Sequence, residues 1–393
     1  MSLNLDRSAW KRVLLGDVAM ASKERVDPTS GDVDRYVAGE HMDTDSLKIH
    51  RWGEVGDGYL GPAFHRHFHP GQVLYGSRRT YLRKVAVAEF DGVTANTTFV
   101  VETRGTSVLL QEFLPFVMTA EPFHAFAIRE SKGSVNPYVN WSDIARYEFD
   151  LPPIDEQKRL ADLLWAVENE RRTVQLLLAA TLDLREGTIE SRFVGAGDNI
   201  LQDLTGKDGI RIGPFGAQLH AYDYIDDGEC PVVMPQDMIG GRVSTASIQR
   251  ISDARADELA VHRLRPGDIV LPRRGELDRR ALITELEDGW LCGTGSVRVR
   301  VRSDVSSAAV FLALSSRTTV EWLKANATGT TMPNLNAAIV ARIPISLPSG
   351  KALDKALEEV ALLEAAATTA RRRAEQTTQV KTALLTSIFE GEA

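Results

Sequence analysis

Nine side chains in two clusters carry chemistry suited to an anionic partner. Arg78, Arg79, Tyr81, Arg83 and Lys84 form one; Arg273, Arg274, Arg279 and Arg280 form the other. Lysine and arginine neutralise phosphates and release counterions. Arginine can also grip guanine O6 and N7 with two bonds. The bland alternative is a solvated loop with a few salt bridges, for which Glu276 and Asp278 would serve. Matched placement of the two clusters favours contact with nucleic acid, whose expected footprint is a basic stripe. His65, His67 and His69 alternate, so on a strand they could face one way and bind zinc. The second half of the chain lacks them, so no metal is expected at these histidines or elsewhere in the chain. Glu156-Gln157-Lys158 resembles a nuclease acidic-lysine pair, but it stands at a helix start, where carboxylates usually serve the helix dipole. Gly206-Lys207 is followed by Asp208, without the glycine spacing or hydroxyl of a P-loop. No catalytic residue is assigned.

The clusters are matched because the chain repeats itself. Pro70-Gly71 recurs as Pro266-Gly267, an offset of 196. The same offset relates Met42 to Met238, Arg78 to Arg274, Arg83 to Arg279 and Glu89 to Glu285. It also relates Thr98, Val101 and Arg104 to Thr294, Val297 and Arg300, and Gly133, Pro137 and Asn140 to Gly329, Pro333 and Asn336. Ser191 and Phe193 match Ser387 and Phe389. A fixed offset over such a span predicts two copies of one ancestral unit, related by a pseudo-twofold axis.

Each copy runs in the same order. Short β-like runs come first: Lys84–Phe90 and Thr98–Val101 in one, Ala281–Leu286 and Ser296–Val301 in the other. Asp91-Gly92 and Asp288-Gly289 are the turns between them. A Leu-Pro boundary and a long stretch without proline follow. Helices are predicted over about 154–193 and about 350–390, each spanning ~60 Å at 1.5 Å per residue. Gly195 and Gly197 should end the first. Its seam is Leu160, Leu163, Val167, Val174, Leu177 and Leu184, with Leu164, Leu178, Leu182 and Ile189 broadening the stripe, a heptad-like, coiled-coil pattern. The second carries Leu353, Leu357, Val360 and Leu363, then Ala367, Ala370 and Ala374. Its alanine-rich middle allows close approach, so the two helices are expected to pack antiparallel. The fold class is therefore α+β. Two mixed α/β domains, 1–150 and 195–346, are separated by helical segments 151–194 and 347–393.

Composition limits the rest. The chain has 393 residues, 25% charged and 43% hydrophobic, which suits a folded protein of two or three domains. A net charge of −8 excludes a uniformly basic surface, so DNA contact must come from clustered cations. No run approaches the ~20 apolar residues of a membrane span. Met1–Arg7 lacks the basic and apolar regions of a signal peptide. Cys230 and Cys292 are too few for a disulfide framework, and a cytoplasmic protein is expected.

Several segments, in order, resemble the specificity subunits of type I restriction-modification systems. Trp10–Asp17 resembles the usual opening. Leu151-Pro152-Pro153-Ile154-Asp155-Glu156-Gln157 looks like the start of that family's conserved helical region. Gly213-Pro214-Phe215-Gly216-Ala217-Gln218-Leu219 resembles the start of a recognition domain. Gly329–Asn336, leading to Arg342-Ile343-Pro344-Ile345, resembles the end of one. The second helix lacks the Glu-Gln pair and the first half lacks the Gly-Pro-Phe-Gly motif, so the two domains should read different sequences. The resemblance implies a non-catalytic subunit in which each target-recognition domain reads half of a bipartite site on double-stranded DNA. It further implies that the helices set the spacer and dock two methyltransferase subunits, and that a motor-nuclease subunit joins for cleavage. S-adenosylmethionine, ATP and Mg would belong to those partners, leaving this chain with no cofactor.

Two other classes compete. One is a catalytic nucleic-acid enzyme, either a nuclease or a metal-dependent hydrolase using the histidines. The other is a coiled-coil scaffold that binds no DNA. Asn136-Pro137-Tyr138 is also similar to the tetrapeptide with which amino-methyltransferases clamp an exocyclic amine, but it is one proline short. Its repeat partner is Met332-Pro333-Asn334, so a shared structural role is expected instead.

Overall fold

A computed structural model describes residues 5–58, 60–194, 199–329 and 334–390. The chain divides into two compact units, Met1–Gln175 with Arg371–Ala393, and Leu176–Ala370. Each unit therefore takes half of each long helix.

Unit 1 has ten strands among its described residues. They are β1 (Lys11–Leu14), β2 (Ala19–Ala21), β3 (Arg35–Val37), β4 (Gly53–Glu54), β5 (Phe64–Phe68), β6 (Val73–Gly76), β7 (Val85–Val87), β8 (Gly92–Ala95), β9 (Thr98–Thr103) and β10 (Glu148–Leu151). They form sheets ordered β2-β9-β6-β7 and β4-β3-β8-β5, and β1 pairs with β10. Unit 2 continues with β11 (Asn199–Ile200), β12 (Thr205–Ile212), β13 (Cys230–Val233), β14 (Met238–Ile239), β15 (Arg242–Val243), β16 (Gln249–Ile251), β17 (Ile269–Pro272), β18 (Ala281–Leu282), β19 (Leu291–Cys292), β20 (Ser296–Val301) and β21 (Pro344–Ile345). The sheets β12-β20-β17-β18 and β16-β13-β19 reproduce those of unit 1, with β11 paired to β21. In both units the central strand of the second sheet pairs parallel with the strand before the last hairpin, β3 with β8 and β13 with β19. Unit 2 has no counterpart of β5 among its described residues.

The duplication is therefore topological, but its offset is not constant. Tyr36 and Val232 stand 196 apart, whereas their partners Val93 and Leu291 stand 198 apart. Val101 and Val299, opposite Val73 and Ile269, also stand 198 apart. The expected matches of Thr98, Val101 and Arg104 to Thr294, Val297 and Arg300 are thus displaced by two residues. The helix starts Glu121 and Arg317 restore the offset of 196.

The Pro-Gly turns show why the repeat is most visible there. Gln72 N–H donates to the His69 carbonyl at 3.2 Å and Asp268 N–H to the Arg265 carbonyl at 3.0 Å. Gly71 and Gly267 hold φ of 88° and 86°, where a Cβ is strained. A Cβ on Gly71 would meet nothing within 4 Å. Gly71→Ala should therefore report the backbone alone and lower stability by roughly 1–2 kcal/mol. Thermal unfolding of that variant measures it, and an unchanged midpoint would contradict the turn.

The long helices run over Ile154–Phe193 and Lys351–Phe389. Pro152 and Pro153 cannot extend the first upstream. The expected stop at Gly195 and Gly197 lies outside the described residues. Gln157 fixes its start: the buried amide donates to the Val108 and Pro152 carbonyls and accepts from Leu110 N–H. Within unit 1, Glu168 bonds Lys381 and Glu170 bonds Arg373; within unit 2, Arg185 bonds Glu364 and Arg192 bonds Glu359. One number rises as the other falls, so the helices are antiparallel in both units. The seam departs from expectation. Leu160, Val174, Thr181, Ile189 and Phe193 are buried, with Leu163 and Val167 partly so. Leu177 and Leu184 are 58% and 59% exposed. A 3.6-residue helix drifts off a strict seven-residue count, and here the stripe follows its broadening residues instead, the half-buried Leu178 and Leu182 on either side of the buried Thr181. On the second helix Ala356, Val360, Ala367 and Ala370 are buried, with Leu353, Leu357 and Leu363 half-buried.

Candidate nucleic-acid interface

In unit 1 the first basic cluster lies on the loop between β6 and β7. Its turn, Thr80–Leu82, is flanked by Arg79 and Arg83, both left-handed, with φ of 51° and 50°. Such a conformation costs a non-glycine residue roughly 1–2 kcal/mol, so the loop must be held from outside. Arg79 N–H donates to the Pro137 carbonyl at 2.6 Å, and Val139 N–H to the Ser77 carbonyl at 3.0 Å. Tyr138 and Lys132 exchange two backbone bonds of 2.8 and 2.9 Å. The Asn136-Pro137-Tyr138 segment is thus part of a clamp on the arginine loop. Arg78, Arg79 and Tyr81 are exposed, and so is Tyr138. Arg78 and Arg79 make no ion pair among the described residues.

Unit 2 builds the same clamp 196 residues on. Leu335 N–H donates to the Arg273 carbonyl at 2.8 Å, and Thr328 and Asn334 exchange bonds of 3.0 and 2.9 Å. Arg78 bridges Tyr138 as Arg274 bridges Asn334. Thr330–Pro333, part of the matching motif, lie outside the described residues. Arg274 is exposed. Arg273 donates from Nε to Asn334 Oδ1 at 3.2 Å and lies over the exposed Phe215 ring, 5.3 Å from its centroid. Phe215 belongs to the Gly213–Leu219 motif. Gly213 N–H donates to the Ser296 carbonyl at 2.9 Å, and a Cβ there would fall 2.0 Å from the Gly293 oxygen. Glycine alone permits that approach, and it sets Phe215 beside the arginine loop.

Five of the nine predicted residues are otherwise engaged, Arg273 by Asn334 and Phe215 as just described. Arg83 is held bidentately by Glu121 at 2.7 and 2.8 Å. Lys84 donates to the Gly39 carbonyl; burial, then the charge of Arg79, lowers its pKa. Arg279 pairs with Glu276 at 2.6 Å. Arg280, expected at the surface, is only 5% exposed. It adjoins the fully buried Ala281, bonds back to the Asp278 carbonyl at 2.8 Å, and is pushed down to about 10 by burial. The exposed set is therefore Arg78, Arg79, Tyr81 and Arg274. The exposed Phe215 and Tyr138 and the half-buried Asn334 lie beside it without having been assigned from sequence, although the first lay in a motif and the others in the repeat.

The enzyme-like motifs are placed differently. Glu156 pairs with Arg159 at 2.6 Å on the helix surface. Gly206 and Lys207 lie in β12, an extended strand. Of the histidines, His65 stands apart, its Nδ1 3.3 Å from the Pro62 carbonyl. His67 Nδ1 lies 3.0 Å from Glu24 Oε1 and His69 Nε2 lies 3.1 Å from Glu24 Oε2. His69 Nδ1 is 2.5 Å from Asp91 Oδ1, a bond that raises its pKa; burial opposes the shift and Glu24 adds to it. Glu24 was not assigned from sequence because it is 43 residues from His67.

No family model matches the chain. The specificity subunit of the type I restriction enzyme EcoDI of Escherichia coli is 23% identical over 190 residues, which are 47% of this chain and 42% of that protein. The match thus spans less than half the length of that relative. Two solved structures share the fold. The S subunit of a type I restriction-modification system from M. genitalium superposes with a TM-score of 0.61 at 14% identity, covering 98% of each chain. A chain from a type I R-M system, solved for its complex assembly and conformational transition, gives 0.57 at 19% identity. It covers 98% of this chain and 99% of its own. The chain has the fold of a type I specificity subunit.

Proposed function

We propose that this chain reads DNA sequence as the specificity subunit of a type I restriction-modification complex and holds no catalytic centre of its own. Each unit reads one half of a bipartite site on double-stranded DNA. The long helices set the spacer and dock two methyltransferase subunits, and a motor-nuclease subunit joins for cleavage. S-adenosylmethionine, ATP and Mg belong to those partners. The observation that carries this reading is the duplicated clamp, which presents exposed Arg78 and Arg274 at equivalent points of two units. Their surroundings differ, tyrosines 81 and 138 in one and Phe215 with Asn334 in the other. Different neighbours suit different half-sites, because base-edge contacts carry the sequence information.

Unit 2 also exposes Leu176, Leu177, Leu184 and Leu362 on the long helices. Apolar side chains on helices that already bury another face suit a protein partner. No helix among the described residues is long and apolar enough to cross a membrane. The proposed DNA partner itself places the complex in the cytoplasm.

The test reconstitutes the full chain with an adenine methyltransferase subunit and maps the methylated sites. A motif of two specified halves around unspecified bases is expected. Methylation without a bipartite motif, or DNA cleavage by the purified chain alone, would overturn the proposal.

A further inference from the structure

We propose that Glu24, His67 and His69 form a binding site for a zinc-class divalent cation. Their candidate ligand atoms all lie within 4.8 Å of one another. The two nitrogen-to-oxygen separations are 3.0 and 3.1 Å. Donors at ~2.0–2.2 Å from a tetrahedral ion stand roughly 3.3 Å from each other. The two contacts go to different oxygens of one carboxylate, so an ion bound by all three groups takes the place of the shared protons once the Glu24 carboxylate turns one oxygen toward both imidazoles. Two imidazoles and one carboxylate are a borderline donor set of the kind zinc prefers, and they leave a fourth position for water.

The surroundings complete the case. Asp91 accepts from His69 Nδ1, which fixes Nε2 as the nitrogen that faces Glu24. A carboxylate on the far nitrogen is the usual support of a metal-binding histidine. Glu24 and Asp91 together carry the −2 that balances a divalent ion beside neutral imidazoles. The site would staple separate pieces of chain. Glu24 lies in the segment after β2, whose backbone runs along β5: His67 N–H donates to the Glu24 carbonyl at 3.2 Å and Val26 N–H to the His65 carbonyl at 3.1 Å. Asp91 lies in the turn leading into β8. At the 196-residue offset, unit 2 has Arg263 in place of His67 and pairs it with Asp257 at 2.7 Å.

The experiment titrates ZnCl2 into the untagged full-length chain, stripped with chelator, against a chromophoric competitor. Co2+ supplies a visible spectrum that reports coordination. One equivalent should bind, with tetrahedral cobalt bands, and zinc should raise the unfolding temperature. His67→Ala and His69→Ala should each weaken binding at least tenfold, and Asp91→Asn, which removes no ligand, by about tenfold. His65→Ala should bind as the parent does. Circular dichroism checks that each variant is folded; if the alanine variants are not, Glu24→Gln and Asp91→Asn carry the test. No bound equivalent, or an affinity that ignores these substitutions, would overturn the site.

Discussion

Replacing Arg78, Arg79 and Arg274 together with alanine is expected to lower duplex affinity by orders of magnitude and to flatten its salt dependence. Each arginine that sits on a phosphate should remove about 0.9 from the slope of log K against log salt. Each that grips a base edge with two bonds should instead take about 1–3 kcal/mol from the preference for one base at one position. The two outcomes separate in fluorescence anisotropy with specific and scrambled duplexes over a range of salt. Arg83→Ala and Arg279→Ala are internal controls. Their guanidiniums are already held by Glu121 and Glu276, so they should cost less affinity than Arg78→Ala or Arg274→Ala. Arg280→Ala should act on unfolding rather than on DNA, because its side chain is buried. A triple variant with unchanged affinity and slope would remove both loops from the interface.

What the sequence shows of this site follows from what a linear pattern can encode. The long helices were legible to within a residue or so, because a run without proline and a three-four apolar spacing are local properties. The Pro-Gly turns were legible because a left-handed φ demands glycine at both places. The seam was legible only in part: Leu178 and Leu182 were read as broadening it, but Leu177 and Leu178 are chemically alike and only packing chooses which of them it follows. The two-residue shift before β19 was hidden by chance identities at Thr98 and Thr294. Strand pairing fixes it, and strand pairing is long-range. The basic clusters were found by residue type, but type does not report the partner. Glu121 sits 38 residues from Arg83, and Glu24 lies 43 residues from His67.

The long helices themselves provide the second test, because the repeat places one ion pair in two environments. Glu168 and Lys381 map onto Glu364 and Arg185 at the same offset of 196. In unit 1 the pair is buried, with side chains 1% and 11% exposed, and Arg171 adds a second bond to Glu168 at 2.6 Å. In unit 2 the pair is 26% and 47% exposed. Lys381→Met keeps the length of the stem and removes the charge, leaving Glu168 short of one buried partner. A broken buried pair costs about 3–5 kcal/mol, and the remaining Arg171 bond argues for the low end. Arg185→Met, its repeat equivalent, should cost under about 1 kcal/mol, since an exposed pair is screened by water. The pH dependence carries the same sign. Burial works to raise the Glu168 carboxyl, but the Arg171 bond and the Lys381 charge and bond hold it below the ordinary carboxylate range. The stability it contributes is present above the unfolded carboxylate pKa and is lost as pH falls through the folded value. Lys381→Met lifts that folded value, so part of this acid-side loss should disappear in the variant. Urea unfolding of both variants at neutral and acid pH reads the difference. Equal losses for Lys381→Met and Arg185→Met would show that burial does not set the strength of the pair.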